Sequence, residues 1–358
     1  MISVILPAYN EAQNIQRIII AITKVFLNEA IMGEIIVIDD NSPDGTASIA
    51  SELAGSCPVK IYVRKTDRGL SRSIIEGFSR AQGDICLVMD ADLSHPVEKI
   101  PDMIKPIIEG KCDATVGSRY VYGGGAQNWP LLRRIISRGA GLLAKGVTTL
   151  SDPTSGFMAV RKDKLEGVNL DPLGWKIVLE VIVKAKVRVL EIPIVFADRE
   201  LGESKLGLRA QVDYLRHLGR LYSYRYPQFL EFVKFCLVGL TGLLIDTAVL
   251  VSLVDYASLD PRVAAVFAFS TAVSWNYLLN RIWAFKSGKS TSIPRSFVFF
   301  VSTCLGGLAV RIGVMHLLIE YAGMAVKPWY ILASCIGIAA ATIFNFMGSK
   351  YLAFRKRS

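Results

Sequence analysis

The chain has 358 residues, a formal net charge of +10 and a hydrophobic fraction of 52%. No zinc-finger spacing, aromatic RNA-binding signature or basic helix followed by heptads accompanies the charge, so the usual nucleic-acid-binding classes are excluded and no nucleic-acid partner is expected. The six cysteines are scattered without metal-ligand spacing, which excludes a cysteine zinc site and leaves them as reduced core or membrane residues.

The opening run before Pro7 is short and lacks a basic lead, so it does not read as a signal peptide. Residues 3–6 instead predict a strand, and residues 10–29 an amphipathic helix. A second strand over 34–38 ends in Asp39-Asp40-Asn41-Ser42-Pro43-Asp44-Gly45-Thr46, a loop that starts the next helix. Further strands are predicted at 60–63, 85–89 and 114–117. Strands and helices alternating at this spacing predict an α/β domain with a mostly parallel, doubly wound sheet. Ligands of such sheets lie beyond the carboxyl ends of the strands, which sets Pro7 to Glu11, Asp39, Asp40 and Asp90 to Asp92 along one edge. No Gly-x-Gly-x-x-Gly follows the first strand and no Gly-Lys-Ser/Thr loop exists, so a dinucleotide dehydrogenase and a P-loop ATPase are poorly supported.

The strand over 85–89 is a continuous apolar run that delivers Asp90 and Asp92 together. Paired carboxylates at a strand end offer hard oxygen ligands to Mg²⁺ or Mn²⁺, ions that bridge a carboxylate to a phosphorylated substrate. Asp39 at its own strand end suits charge-assisted hydrogen bonds to ribose hydroxyls or base donors, with helix capping as its alternative.

Residues 129–150 and 208–226 mix arginine with leucine, isoleucine and tyrosine, and both predict basic amphipathic helices lying in the headgroup plane, with ordinary surface helices of the soluble domain as the alternative. Four runs follow, at 235–254, 263–280, 297–319 and 329–347. Each is close to the ~20 residues needed to cross a bilayer core, which predicts a four-helix transmembrane domain. Arg281, Lys286, Lys289, Arg295 and Arg355-Lys356-Arg357 outnumber Arg262 and Lys327 of the other loops, so the side shared by the amino-terminal domain and both termini is expected to be cytoplasmic. The expected organisation is a soluble α/β domain at 1–207, an interfacial linker helix at 208–228 and a membrane domain at 229–358. Residues 235–257 align without gaps on 300–322 with eight of 23 identical, and 276–286 echo 345–355. Two parallel duplicated hairpins are expected from this, with Asp246 and Arg311 at equal depth as an ion pair.

Val4-Ile5-Leu6-Pro7-Ala8-Tyr9-Asn10-Glu11, the Asp39–Thr46 loop, Asp90-Ala91-Asp92-Leu93-Ser94-His95-Pro96 and Gly117-Ser118-Arg119-Tyr120 resemble the successive motifs of family-two inverting glycosyltransferases. The resemblance is strongest to the polyprenyl-phosphate hexose synthases, above all those making dolichyl phosphate mannose. It runs on through Asp152-Pro153-Thr154-Ser155-Gly156-Phe157, Glu191-Ile192-Pro193-Ile194-Val195-Phe196 and Arg199-Glu200-Leu201-Gly202-Glu203-Ser204-Lys205-Leu206. The membrane part is similar, more loosely, to small four-helix proteins that accompany O-antigen glucosylation, through Asn276-Tyr277, Asn280-Arg281 and Trp283-Ala284-Phe285.

This resemblance implies a GT-A-type nucleotide-sugar-binding domain. It implies that Pro7, Tyr9, Glu11 and Asp39 hold the nucleoside of the donor and that Asp90 and Asp92 bind the metal on its diphosphate. Arg119, Arg133, Ser137 and Arg199 match the acceptor-phosphate positions, with Arg134 able to exchange roles with Arg133 and Lys205 a further candidate. Asp92, Arg119 and Arg199 are then the residues expected to matter most for transfer. The implied reaction moves one hexose, mannose from GDP-mannose, onto dolichyl or another polyprenyl phosphate. A UDP-sugar with the same lipid is the alternative donor, since nothing near Asp39 decides the base. A lipid-linked-sugar flippase or an anchoring partner is the alternative of another class. Met158 stands where an arginine often follows Ser-Gly-Phe, and the Gln-x-x-Arg-Trp of processive polysaccharide synthases is absent.

Overall fold

The computed structural model describes all residues except 128, 175, 198–207, 286–290, 325–328 and 356–358, and the side chains of 132, 208, 209 and 331. Arg199 and Lys205 therefore lie outside the described residues, as do Lys286, Lys289, Lys327, Lys356 and Arg357. The chain divides into two compact units, Met1–Arg225 and Tyr226–Ser358.

In the first unit, β1 (Ile2–Ala8), β2 (Gly33–Asp39), β3 (Val59–Val63), β4 (Ile85–Val88), β5 (Ala114–Ser118), β7 (Met158–Arg161) and β8 (Val189–Pro193) form one sheet in the order β3-β2-β1-β4-β7-β5-β8. Pairing is parallel except along β7, which runs antiparallel to β4 and β5. A second, two-stranded sheet pairs β6 (Gly125–Ala126) with β9 (Val195–Phe196). Every residue of β1 is buried, because helices cover both faces of the sheet. Val4 and Leu6 face the core shared with α1 (Ile15–Asn28) and α4 (Ile100–Ile108), whereas Ile5 faces the core of α3 (Leu70–Arg80) and α6 (Ile177–Ala185). α2 (Thr46–Glu52) follows the loop after β2. From β1 the chain winds outward through β2 and β3, then returns to β4 on the other side of β1. That reversal is a topological switch point, and it opens the crevice between the carboxyl ends of β1 and β4 where such sheets bind ligands.

α5 (Leu131–Ala144) and α7 (Leu208–Arg225) cover the far side of α6. Both helices were expected to lie apolar face down in a headgroup layer. α7 buries Tyr214, Leu218 and Leu221 against Ala144, Val147, Leu179 and Val183. The Tyr214 and Tyr222 hydroxyls fix it by donating to the carbonyls of Ala140 (2.6 Å) and Leu143 (2.8 Å). α7 thus packs into the first unit by this face, while Val212, Leu215 and Tyr224 remain exposed. α5 keeps Leu131, Ile135, Leu142 and Leu143 exposed.

The second unit consists of α8 (Pro227–Val251), α9 (Pro261–Leu279), α10 (Ile293–Tyr321) and α11 (Trp329–Gly348). Each of α8, α9 and α11 runs on into one π-helical turn, at Ser252–Tyr256, Asn280–Ala284 and Ser349–Ala353. Among the described residues three helices are long and apolar enough to cross a membrane, Pro227–Tyr256, Ile293–Tyr321 and Leu332–Ala353. The second expected span, α9, is helical but falls short of the other three in hydropathy, since Ser270, Thr271, Ser274 and Asn276 dilute its apolar run. α8 packs on α9 and α10 on α11 as two hairpins. The ring contacts come in matching pairs. Phe235 meets Phe346 at 5.7 Å as Phe300 meets Tyr277 at 5.8 Å, and Phe232 meets Phe346 as Phe297 meets Tyr277, both at 5.1 Å. Phe285 and Phe354 stack on each other at 5.2 Å.

No ion pair joins Asp246 to Arg311; Arg311 donates to Ser334 of α11 at 3.3 Å. The reason is the helix arrangement. α8 adjoins α9 and α11, α10 adjoins α11 and α9, and the two helices that carry the charges lie across the diagonal.

Within each hairpin a glycine admits an asparagine: a Cβ at Gly242 would collide with the Asn276 amide, and one at Gly307 with the Asn345 amide. Gly242→Leu and Gly307→Leu are therefore each expected to destabilise the second unit by ~1–3 kcal/mol through overpacking. Gly239→Leu, whose Cβ meets nothing within 4 Å, is the control. Thermal unfolding in detergent measures the difference, and equal effects at all three positions would refute the packing argument.

Candidate active site

Two tight loops shape the crevice edge after β1 and β2. Asn10 and Asn41 hold left-handed backbones, φ 59° and 57°, which asparagine tolerates better than most residues. Asp39 is buried, and both its oxygens are engaged by Ser42, one by the backbone N–H at 2.9 Å and the other by the hydroxyl. The Ser42 hydroxyl in turn accepts the Asn10 N–H at 3.0 Å, tying the loop after β2 to the loop after β1. Glu11 donates its N–H to Thr46 (2.9 Å) and accepts from the Asn14 amide (2.9 Å). Asp44 accepts from the Ala12 N–H at 3.0 Å and from Thr46. Burial raises the Asp44 pKa, but these hydrogen bonds outweigh it and the net direction is down. Pro7 is buried at the end of β1 and Tyr9 is exposed beside it.

Asp40, the neighbour of Asp39, is structural. It accepts from Arg64 (2.8 Å), the Ser73 hydroxyl (2.8 Å) and the Gly69 N–H (2.7 Å), which fastens the end of β2 to the start of α3.

Asp90 and Asp92 leave the end of β4 in a turn whose Leu93 has a φ of 62°. A left-handed leucine is strained, and such strain collects at functional turns. Asp92 is buried and accepts the Ser94 N–H at 3.0 Å. Asp90 donates its N–H to Nδ1 of His95 at 3.0 Å, which makes Nε2 the protonated nitrogen, 4.0 Å from the Asp90 carboxylate. His95 stacks on Phe157 at 5.2 Å, and burial holds its pKa below the usual histidine value. A Cβ at Gly156 would lie 3.6 Å from both Asp90 oxygens, so glycine leaves the carboxylate room. Among the described residues no three His, Cys, Asp or Glu side chains converge as a metal cage. Two carboxylates are a donor set that fits a hard divalent ion which takes its remaining ligands from phosphate oxygens and water.

Arg119, just past β5, forms a bidentate ion pair with Asp152, Nε to Oδ2 and Nη2 to Oδ1 both at 2.6 Å. Nη2 also donates to the Thr154 hydroxyl at 2.9 Å. Three of its five N–H donors are thus committed within the protein. The guanidinium lies 4.8 Å from the Trp129 ring centroid and 5.5 Å from that of Phe196. Asp152 is fully buried; burial raises its pKa, but Arg119 outweighs this and holds the carboxyl below its usual range. The backbone N–H groups of Ser151 and Asp152 donate to the Glu191 carboxylate at 2.9 and 3.0 Å. Ser137 approaches the same Thr154 hydroxyl at 3.4 Å, and Arg133 lies over the Trp129 ring at 4.1 Å. Arg119, Arg133 and Ser137 therefore gather around Trp129 and Thr154. Thr154, Asp152, Glu191 and His95 all lie within the family-like motifs, but nothing in those motifs alone marks them as part of the site.

The family described as Glycosyl transferase family 2 matches residues 3–168, and the GtrA/DPMS transmembrane domain matches residues 234–354. A dolichol-phosphate mannosyltransferase of Pyrococcus furiosus is 38% identical over 342 residues, 94% of each chain. One from Saccharomyces cerevisiae is 37% identical over 239 residues, 63% of this chain and 88% of its own. Among solved structures, the glucosyl-3-phosphoglycerate synthase of Mycobacterium tuberculosis superposes with a TM-score of 0.48 at 18% identity, covering 63% of this chain and 79% of that one. Full-length similarity to the Pyrococcus enzyme, with a glycosyltransferase segment and a membrane segment matched in the same order, makes this chain a member of the dolichol-phosphate mannosyltransferase family.

Proposed function

We propose that the protein transfers one mannosyl residue, with inversion, from GDP-mannose to dolichyl or a related polyprenyl phosphate at the cytoplasmic face of a membrane. The observation that carries this reading is the juxtaposition within one unit of two ligand sites of opposite character. The carboxylates Asp90 and Asp92 stand at the switch-point crevice, and the cluster of Arg119, Arg133 and Ser137 around Thr154 is cationic. The names of the relatives support mannose and dolichyl phosphate.

In this mechanism the loops after β1 and β2, with Pro7, Tyr9, Glu11 and Asp39, bind the nucleoside. The Asp39 carboxylate is already engaged by Ser42, so its contribution is to fix the loop on which a ribose rests. Asp90 and Asp92 would hold Mg²⁺ or Mn²⁺, which when bound offsets the charge of the diphosphate leaving group. A lipid phosphate has a second pKa near ~6 and is already largely a dianion at neutral pH. It needs no general base. One of its oxygens forms the bond to the sugar anomeric carbon as the bond from that carbon to the diphosphate oxygen breaks, and the electron pair leaves with the nucleoside diphosphate. Arg133 and Ser137 hold the acceptor phosphate, and Arg119 keeps Thr154 in position; their share of the work is to bring two anions together. Arg199 and Lys205 are assigned to the same phosphate by resemblance. Positive loops flanking the spans favour a cytoplasmic active site.

A panel of GDP-mannose, UDP-glucose and other nucleotide sugars, incubated with the protein, dolichyl phosphate and Mn²⁺, tests the reading. GDP-mannose is expected to give the lipid-linked product; a product from UDP-glucose alone would overturn the donor. Arg133→Ala and Ser137→Ala are expected to raise KM for the lipid phosphate about tenfold and leave donor affinity almost unchanged. Loss of donor affinity with unaltered acceptor kinetics would refute their assignment.

A further inference from the structure

Lys176 is a cation that the mechanism above does not use. It immediately precedes α6, and its ammonium donates to the backbone carbonyl of Thr154 at 2.9 Å. That is the residue whose side chain joins Arg119 to Ser137. One loop residue is thus gripped by a lysine through its main chain and by the acceptor cluster through its hydroxyl.

The charge balance around it is uneven. Arg119 is neutralised by Asp152 in a bidentate pair. Among the described residues no carboxylate comes within ion-pair distance of Lys176; the charged groups that act on it are Arg119, Asp152 and Asp90. An ammonium carries three donors and the Thr154 carbonyl takes one. Burial weakens its hold on the proton, with repulsion from Arg119 adding to the effect, and its pKa falls to about 8. Among the described residues the other two donors of this half-buried ammonium have no partner, and such a cation is complemented by an anion rich in acceptor oxygens, which describes a phosphate.

Resting on the proposed transfer reaction, we infer that the Lys176 ammonium binds the phosphate of the polyprenyl acceptor, as a further cationic contact beside Arg133 and the cluster at Thr154. Lysine suits this position because its ammonium acts as a compact point charge that accepts no fixed orientation of the phosphate.

The test uses the full chain in detergent. Binding of dolichyl phosphate alone and of GDP-mannose with Mn²⁺ is measured separately for wild type, Lys176→Met and Lys176→Arg. Lys176→Met is expected to weaken dolichyl phosphate binding about tenfold or more and to leave GDP-mannose affinity within about twofold. Unaltered lipid binding, or a loss confined to GDP-mannose, overturns the inference; the latter assigns the lysine to the diphosphate. A second measurement separates contact from mere support of the loop. In wild type, kcat/KM for the lipid phosphate is expected to decline as pH rises through about 8, and Lys176→Arg, whose guanidinium stays charged, should abolish that decline. An arginine variant that keeps the wild-type profile also refutes the assignment. Because the lipid arm needs no donor, a wrong nucleotide or sugar leaves it readable. A wild type that binds no dolichyl phosphate would sink the transfer reading itself.

Discussion

Asp92→Asn is expected to lower transfer at least ~100-fold while leaving the fold intact. The magnitude is that of removing one preorganised electrostatic contact to charge that develops in the transition state. Here the charge develops on the departing nucleoside diphosphate, and Asp92 is one of only two carboxylates that the turn after β4 offers to a metal ion. Asparagine is nearly isosteric, and its amide oxygen can keep the hydrogen bond from the Ser94 N–H, which Asp92 accepts at 3.0 Å. The turn, with Leu93 at a φ of 62°, therefore retains its local support. Circular dichroism and the unfolding temperature should match wild type, whereas Mn²⁺-dependent binding of GDP-mannose should weaken together with turnover. Full activity of the variant, or wild-type activity with a chelator present, would remove Asp90 and Asp92 from the metal assignment.

How far the sequence alone reached depends on whether the deciding information was local. β1, β2 and β4 are legible within a residue or two because strands buried on both faces read as apolar runs closed by turn residues. The carboxylates after β4 and the loop after β2 follow from where those runs stop. β7 was missed, since Met158–Arg161 is a four-residue strand whose antiparallel pairing with β4 and β5 depends on segments remote in sequence. The same holds for Lys176 and Thr154, whose contact spans a loop and a helix start, and for Glu191, which receives Ser151 and Asp152 from forty residues away. Amphipathic pattern also underdetermines one partner. The stripe on α7 signals a partner for an apolar face, and periodicity cannot say whether that partner is lipid or protein; in the structure α5 and α6 cover Tyr214, Leu218 and Leu221 and leave Val212 and Leu215 exposed. Equal depth likewise placed Asp246 beside Arg311 on paper, but it carries no information about which helices are neighbours.

Asp152 carries the largest expected effect on stability. Its side chain is fully buried and that of Arg119 is 8% exposed, so the pair is sheltered from solvent screening and cannot be treated as a surface bridge. Asp152→Ala removes the two shortest contacts of the guanidinium at once, leaving, among the described residues, Thr154 and the surrounding aromatic rings as its company. An uncompensated buried charge of this kind costs ~3–5 kcal/mol. The loss should appear as a lower unfolding temperature together with impaired use of the lipid phosphate, because Arg119 also holds the Thr154 hydroxyl near Ser137. Removing the charge as well, in Arg119→Met with Asp152→Ala, should recover part of the stability and none of the transfer. The pH dependence has a definite sign. The folded-state pKa of Asp152 is lowered from a reference of 3.8, so the pair contributes its full stabilisation above that reference and loses it as pH falls below 3.8 toward the depressed folded value. Between neutral pH and pH 3, wild type should therefore lose more stability than Asp152→Asn, which has no proton to gain. Parallel acid profiles for the two proteins, or an Asp152→Ala variant as stable as wild type, would show that the Arg119 charge is compensated elsewhere.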